Sequence, residues 1–255
     1  ENIDSWSRQN GLLFCDLLSF RHDVAILDTD PQRLRFTFNV QRFSSPEEVK
    51  EFDPDMVLNA ATVKYTIQAF EAILPYIRQN AILSDIASVK TGLPEFYEKA
   101  GHPFVSTHPM FGPTFASLSN LRNENAVIIR RDHLGRVFFK DIYNELKLNV
   151  VEYTFDEHDE TMAYSLGIPF ASTFVFAGIM KHQDAPGTTF KRHFDIARGV
   201  LSEDDHLLSE IMFNPHTPKQ LEKIRTQLAE LQEIVEHHDS SAMKKFLTKL
   251  RNNIK

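Results

Sequence analysis

The sequence predicts an α/β chain of two domains: a doubly wound, mostly parallel sheet over residues 1–153, followed by an all-α domain over residues 154–255. In the first part, short apolar runs alternate with helical segments, which is typical of a parallel sheet covered on both faces. From Asp156 onward the segments are long and helical in period. A length of 255 residues is natural for two domains.

The strands of the first domain are predicted from apolar runs bounded by turn residues, and its helices from the segments between them. The predicted strands are, in chain order, Asp23–Asp28, Asp55–Ala61, Asn80–Ala87, Pro103–His108, Asn125–Arg130 and Leu148–Thr154. The predicted helices are Gly11–Phe20, Lys64–Arg78, Gly92–Ala100 and His133–Leu146.

The second domain begins with a strongly apolar helical segment, for which Asp156 is the predicted N-cap. A later helix, TPKQLEKIRTQLAELQEIVEHH, keeps an a/d-like apolar spacing, formed by Leu221, Ile224, Leu228, Leu231 and Val235. This stripe has two interpretations: one face of an ordinary bundle helix, or a subunit interface. Because the C-terminal helices carry much apolar surface, we expect a homodimer formed through this domain.

The composition excludes several classes of protein. A formal net charge of −7 argues against a binder of nucleic acid or of an anionic membrane, although a small anionic ligand is compatible with it. The lone Cys15 excludes an intramolecular disulfide and a cysteine-rich zinc site. Without an unbroken run of about 18 apolar residues, we expect no membrane span and a cytoplasmic protein. His158 and Asp159 lack further ligands at suitable spacing, so no metal site is expected.

An acid at the end of a strand points to a dinucleotide cofactor. In Rossmann-like sheets, a carboxylate after the second strand accepts hydrogen bonds from the adenosine ribose of NAD and disfavours the 2′-phosphate of NADP. Asp28 ends the run VAILD and fits this role, but it equally fits a simple turn residue. Further candidates for cofactor contacts are Gly11, Ala60 and Thr62.

The glycine-rich motif that should accompany this acid is not in the sequence. Counting back from Gly11 as the third glycine of G-x-G-x-x-G, the other two positions hold Trp6 and Arg8, and no apolar run precedes them. Either a first strand and its loop belong to chain outside this sequence, which we favour, or this end is rebuilt and dinucleotide binding is compromised.

Polar residues follow two further predicted strands. Ser88 and Lys90 lie in SDIASVKT, and His108 lies in STHPMFGP. Open α/β sheets bind ligands at the carboxyl ends of their strands, so these side chains are expected to share one rim. A strand-end histidine is more often a local hydrogen-bonding residue, but its coincidence with Ser88 and Lys90 favours a base. A neutral imidazole can take a proton from a hydroxyl while hydride leaves the same carbon.

Taken together, these segments resemble one family. SDIASVKT, STHPMFGPTF and TFDEHDETMAYSL are similar to motifs of the prephenate dehydrogenases, and the H-P-M-F-G-P block is specific to that family. The likeness runs from about Gly11 to the C-terminus. It implies a nucleotide-binding domain joined to a helical domain that dimerises. It also implies oxidative decarboxylation of prephenate by NAD to 4-hydroxyphenylpyruvate, a step of tyrosine biosynthesis.

The resemblance implies roles for single residues. His108 takes the place of the catalytic histidine, which hydrogen-bonds the ring hydroxyl of the substrate. Ser88 takes that of the serine near this hydroxyl and the nicotinamide. Lys90 follows in the same motif and is expected to assist substrate binding.

Family members hold the substrate carboxylates with arginines near the segment TFKRHFDIARG. The substrate-binding candidates here are Lys191, Arg192 and Arg198. Two positions depart from the family pattern: Phe170 stands where many members carry a second pocket histidine, and Thr114 where others often have an acid. The carboxylate side of the pocket is therefore expected to be built differently.

Two alternatives stay open from the sequence. Arogenate dehydrogenase acts on a substrate that carries an amino group where prephenate has a keto oxygen, and no residue here discriminates between the two. A non-catalytic, dimeric ligand-binding relative would keep the substrate pocket and lack the glycine-rich loop.

Overall fold

A computed structural model describes residues 5–28, 30, 32, 34, 38–111, 121–122, 124–129 and 132–255, with side chains from residue 11 onward. The chain divides into two compact units. The first comprises Glu1–Asp159 and Glu203–Glu210, and the second comprises Glu160–Ser202 and Ile211–Lys255. The functional domains predicted at 1–153 and 154–255 stay a prediction.

The first unit alternates strands and helices. Its strands are β1 Ala25–Leu27, β2 Gln41–Phe43, β3 Met56–Asn59, β4 Ile82–Asp85, β5 Phe104–Pro109, β6 Asn125–Ile129 and β7 Asn149–Tyr153. Its helices are α1 Ser5–Leu18, α2 Val49–Phe52, α3 Thr66–Ile73, α4 Leu93–Ala100 and α5 His133–Glu145, and α6 Phe155–Met162 begins there. All six predicted strands are present, with ends shifted by a few residues.

The sheet is mostly parallel, as predicted. Strands β3 to β7 form one sheet in the order β3-β4-β5-β6-β7, and β1 pairs with β2 in a separate two-stranded sheet. Every neighbouring pair is parallel except β5 with β6, which is antiparallel. The sequence did not predict β2, because Gln41–Phe43 is short and carries two exposed polar residues, so it has no apolar pattern.

Helices cover both faces of the larger sheet, because consecutive strand residues point to opposite sides. On one face, Val105 of β5 belongs to an apolar cluster with Phe14 of α1 and Phe139 of α5. On the other face, Phe104 stacks on Tyr97 of α4 with ring centroids 4.1 Å apart. The continuous apolar run in β5 therefore follows from burial on two sides.

The second unit is helical. It contains α7 Ile168–Ile179, α8 Thr188–Val200, α10 Thr217–Glu236 and α11 Ser240–Asn253, whereas α9 Asp205–Met212 lies mostly in the first unit. Residues Ala163–Gly167, between α6 and α7, form a π-helical turn. Pro169 lies in the first turn of α7 and supplies no backbone N–H, which is the kind of position at which the regular hydrogen-bond ladder is interrupted.

Helix α6 begins earlier than predicted. The N–H of Glu157 donates to Thr154 Oγ1 at 3.2 Å, and the N–H of Thr154 donates to the Glu157 carboxylate at 2.7 Å, forming a capping box. Asp156 lies in the first turn, where its charge is favourable to the helix dipole. The prediction that Asp156 is the N-cap is therefore wrong.

One helical segment is more apolar than expected. Phe155–Ile179 contains an 18-residue window with a mean hydropathy of 1.5, of which 22% is buried, so by length and composition it could cross a membrane. The expectation of no such segment rested on unbroken apolar runs. Tyr164, Ser165 and Ser172 interrupt this run, yet its mean hydropathy stays high.

Close packing of α5 against β4 and β5 predicts that a side chain at Gly135 destabilises the protein. A Cβ atom added there would lie 2.5 Å from Val105 Cγ1 and 3.3 Å from Ile82 Cγ2. Overpacking costs about 1–3 kcal/mol, and alanine regains only about 1 kcal/mol of helix propensity. We expect Gly135→Ala to lower the free energy of unfolding by up to about 2 kcal/mol in urea titrations. Gly199→Ala in α8, where a Cβ meets open space, is the matched control and should not destabilise.

Candidate active site

Three neighbouring parallel strands, β3, β4 and β5, end at one edge of the larger sheet. Ser88 follows the end of β4, and His108 immediately precedes the last residue of β5. Both are buried, with 8% of Ser88 and 4% of His108 exposed. Parallel pairing thus delivers these two polar groups to the same edge of the sheet, where α/β proteins bind ligands.

A buried ion pair joins β4 to β5 beside His108. Lys90 Nζ lies 2.5 Å from Asp85 Oδ1 and donates a second hydrogen bond to the Thr107 carbonyl oxygen at 2.7 Å. Neither charged side chain has exposed surface. Burial lowers the pKa of Lys90, and attraction to Asp85 opposes that change. The pair therefore holds the backbone of the residue directly before His108.

Further hydrogen bonds join this pair to its neighbours. Tyr97 donates its hydroxyl hydrogen to Asp85 Oδ2 at 2.7 Å, and the N–H of Ala87 donates to Oδ1 at 3.0 Å. Thr107 Oγ1 donates to the Asp85 carbonyl oxygen at 3.0 Å and accepts from the Tyr143 hydroxyl at 2.9 Å. Burial, followed by the charge of Asp85, raises the pKa of Tyr97. This network ties both strands to α4 and α5.

These contacts do not support the predicted substrate contact of Lys90. Its side chain is fully enclosed, and its ammonium group already binds Asp85 and the Thr107 carbonyl. A substrate carboxylate could reach it only by breaking a buried ion pair, which is strongly unfavourable. The contacts support a positioning role for Lys90 instead.

His108 bonds to a second buried histidine, for which the sequence predicted no role. Phe155 of α6 packs near Phe104 of β5, with ring centroids 6.2 Å apart. His158 lies one turn further along α6, and its Nε2 atom is 3.1 Å from His108 Nδ1. His158 Nδ1 is in turn 3.0 Å from Asp159 Oδ1.

The environment keeps His108 neutral. Burial lowers the pKa of His108 well below its ordinary value, and the nearby His158 and Lys90 lower it further. Burial also lowers the pKa of His158, although its hydrogen bond to Asp159 opposes the change. A neutral imidazole at a strand end has the protonation state that a general base requires.

The predicted cofactor residues lie at the ends of β1 and β3 and in α1. Asp28 follows β1 and accepts a hydrogen bond from the Asp30 N–H at 2.8 Å, so it acts at least as a turn residue. Ala60 and Thr62 follow the end of β3. A Cβ atom on Gly11 would lie 3.2 Å from Ala60 Cβ, so α1 approaches this strand end closely. Close helix–strand packing is what the third glycine of a dinucleotide motif provides.

The predicted substrate cations lie on α8 of the second unit. Lys191, Arg192 and Arg198 are all exposed. Lys191 and Arg198 are two helical turns apart and share one face. Arg198 lies 3.7 Å from Asp195 Oδ1 and over the ring of Phe194, 4.6 Å from its centroid. Their substrate-binding roles stay a prediction.

Some predicted features lie elsewhere. Thr114 falls outside the described residues, as does the end of the H-P-M-F-G-P block. Phe170, at the family's second histidine position, packs near Phe174 in α7 with ring centroids 6.2 Å apart. Within the described ranges, no three His, Cys, Asp or Glu side chains are grouped to hold a metal ion.

The sequence contained a signal for His158 that the motif analysis did not use. His158 is three residues after Phe155 in a helix, so the two share a face. Since Phe155 is apolar and expected to face the sheet, a polar residue on the same face is expected to be buried with a partner. Only the partner's identity required the structure.

The chain is similar to known proteins in sequence and in fold. Residues 19–147 match the family model described as the prephenate dehydrogenase nucleotide-binding domain. A "probable arogenate/prephenate dehydrogenase" of Methanocaldococcus jannaschii is 25% identical over 208 residues, which cover 76% of this chain and 46% of that protein. The chain therefore spans less than half the length of this curated relative.

Two solved structures share the fold. The prephenate dehydrogenase of Aquifex aeolicus, determined in complex with hydroxyphenyl propionate and NAD+, superposes with a TM-score of 0.78 at 19% identity, covering 97% of this chain and 92% of that one. The arogenate dehydrogenase of Synechocystis superposes with a TM-score of 0.74 at 15% identity, covering 95% and 94%.

The histidine pair predicts how stability depends on pH. Both histidines have a lower pKa in the folded protein than the ordinary 6.5, so below that pH the unfolded chain binds more protons. Stability is then lost as the pH falls, by up to about 1.4 kcal/mol per pH unit for each histidine. Urea unfolding at a series of pH values below 6.5, followed by circular dichroism, should show this loss of stability. His158→Gln should reduce the slope, whereas the exposed His237→Gln should leave it unchanged; equal slopes in all three proteins would contradict the assignment.

Proposed function

The chain belongs to the prephenate dehydrogenase family, and on that premise we propose that it catalyses the NAD-dependent oxidative decarboxylation of prephenate to 4-hydroxyphenylpyruvate. The observation that carries the proposal is His108, a neutral and buried imidazole at the carboxyl end of a parallel strand. Ser88 at the end of the neighbouring strand is proposed to orient the substrate hydroxyl.

In the proposed reaction, His108 accepts the proton of the ring hydroxyl while the carbon–hydrogen bond at the same carbon breaks. NAD supplies the hydride acceptor. The ring ketone that forms draws the electron pair of the bond to the ring carboxylate, so CO2 leaves, the ring becomes aromatic, and its oxygen takes back the proton held by His108. The protein therefore contributes one proton acceptor and the orientation of the substrate. A positioned base contributes about 10²–10⁴-fold to such a rate, and orientation contributes further.

The described residues fit NAD as the cofactor. Asp28 stands directly after β1, where a carboxylate can accept from the ribose hydroxyls and repel a 2′-phosphate. The close approach of Gly11 to Ala60 leaves no room for a larger side chain between α1 and the end of β3. We propose Asp28, Gly11, Ala60 and Thr62 as the cofactor-binding residues of this chain.

The substrate carboxylates need cationic partners, although the chain as a whole carries a charge of −7. We propose that Lys191, Arg192 and Arg198 of α8 supply them, within a helical domain over residues 154–255. All three residues are exposed, so a ligand can reach them. Arg198 and Lys191 share one helix face and offer two cations to a dicarboxylate.

The helical domain is also proposed to form a homodimer. On α10, three residues of the predicted stripe, Leu221, Leu228 and Val235, remain exposed, and Val175 and Ile179 are exposed on α7. A second copy covering these faces explains the apolar segment Phe155–Ile179 without a membrane.

The dimer proposal is tested by a charge placed on the stripe. Leu228→Glu should shift sedimentation equilibrium from dimer toward monomer, since it buries a carboxylate in an apolar contact. Thr226→Glu, with the same charge change on the opposite side of α10, should remain dimeric. A wild-type protein that sediments as a monomer would contradict the proposal.

The activity is tested with two variants that separate chemistry from cofactor binding. NADH formation from prephenate is followed by absorbance, and kcat/KM is compared with that for arogenate. His108→Asn should bind NAD normally in calorimetry and lose about 10²–10⁴-fold in kcat.

Asp28→Ala should weaken NAD binding more than prephenate binding. A higher kcat/KM for arogenate would assign the alternative substrate, and no NAD binding by the wild type would favour the non-catalytic relative.

A further inference from the structure

We propose that His158 and Asp159 form a hydrogen-bonded relay with His108 that determines which imidazole nitrogen of His108 accepts the substrate proton. The inference rests on the proposed role of His108 as the base. It makes His158 and Asp159 positioning residues, since they act on the substrate through His108.

The relay is short, buried and continuous. His158 Nε2 lies 3.1 Å from His108 Nδ1, and His158 Nδ1 lies 3.0 Å from Asp159 Oδ1. His158 has no exposed surface and 23% of the Asp159 side chain is exposed, so the charged end of the relay is nearest to water. Within the described part of the chain, His108 Nε2 has no hydrogen-bond partner.

The direction of each hydrogen bond follows from the carboxylate. An ionised carboxylate only accepts, so His158 Nδ1 must carry the hydrogen in the bond to Asp159. A neutral His158 then has a lone pair on Nε2, and His108 must donate from Nδ1 to it. Neutral His108 therefore carries its hydrogen on Nδ1 and its lone pair on Nε2. The relay thus fixes the tautomer in which Nε2 is free to act as the base.

The same relay stabilises the charge that the reaction creates. When the substrate hydroxyl gives its proton to His108 Nε2, the ring becomes a cation with hydrogens on both nitrogens. Its Nδ1–H then makes a charge-assisted hydrogen bond to His158 Nε2, and His158 in turn donates to the negative Asp159. No proton leaves the relay in this step, and one positive charge is shared by two rings next to one carboxylate.

The surrounding charges explain why a carboxylate is needed. Besides Asp159, the charged groups that act on the two histidines are Lys90, which disfavours a positive charge on both, and Asp85, which favours it on His158. Lys90 is paired with Asp85, whereas Asp159 is hydrogen-bonded directly to His158 and is therefore placed to stabilise the protonated pair. Without Asp159, a protonated His108 would lie near the buried Lys90 cation, and no carboxylate would be linked to it through hydrogen bonds.

Asp159→Asn tests the relay with a nearly isosteric change. Its amide can donate to His158 Nδ1, which reverses both hydrogen bonds and places the hydrogen of His108 on Nε2. We expect kcat to fall by about 10²-fold, the lower end of what a positioned base contributes, with unchanged NAD binding. The acidic limb of the kcat/KM profile should move to lower pH, because the cation loses its carboxylate. Glu160→Gln removes the same charge one residue away, at an exposed position, and should behave as the wild type.

Two further measurements test the relay: the first does not depend on turnover, and the second compares two variants of one residue. In the free protein, ¹⁵N spectra of the histidine rings should show His108 protonated on Nδ1, and on Nε2 in Asp159→Asn. His158→Gln keeps an acceptor for His108 Nδ1 and should retain more activity than His158→Phe, which has none. If His158→Phe does not fold, the kcat and pH profile of Asp159→Asn and the ¹⁵N spectra still test the relay.

The relay is wrong if Asp159→Asn keeps the kcat and acidic limb of the wild type, or if the spectra place the hydrogen of wild-type His108 on Nε2. These outcomes differ from failure of the proposed function, which would appear as unchanged turnover in His108→Asn. An inactive His108→Asn together with a fully active Asp159→Asn would keep the function and reject the relay.

Discussion

The site depends on one interaction, the buried ion pair between the Lys90 ammonium group and the Asp85 carboxylate. Lys90 binds Asp85 of β4 and the Thr107 carbonyl of β5, so it locks together the two strand ends that carry the site. A buried ion pair gives little net stability compared with apolar packing, but breaking it is costly, and so it fixes one arrangement. Its charge also reaches His108 and disfavours the protonated form of that ring.

The rest of the first unit makes this arrangement rigid. Tyr97 and Tyr143 reach the network from α4 and α5 on opposite faces of the sheet, each through a buried hydroxyl. Aromatic packing of Phe155 against the Phe104 cluster brings α6 to the same face as His108. The polar site is therefore framed by apolar contacts that exclude water, and a low local dielectric strengthens each hydrogen bond within it.

The second unit presents a different physical problem, because its helices leave apolar side chains exposed. Helix α7 is almost wholly apolar, yet of its residues only Ala171 is buried in the single chain. The cations of α8 stand on a protein of net negative charge, so any anion that binds there is recognised by local geometry and not by the overall field. Both features motivate the proposed dimer contact and the proposed role of these cations in binding an anion.

The sequence by itself determined the six main strands, the helices between them and the places of His108 and Ser88, because apolar periodicity and strand-end position are local properties of the chain. The tertiary structure decided what those residues bind. Lys90 was expected at a ligand but is turned inward to Asp85, and His158 was set aside but pairs with His108, fifty positions earlier in the chain. Strand β2 was likewise absent from the pattern, whereas the Thr154 cap has a local signature, Thr154 followed by Glu157, that the prediction of Asp156 as the cap missed. Hydrogen-bond partners distant in sequence depend on how strands and helices pack, and no periodicity within a segment encodes that contact.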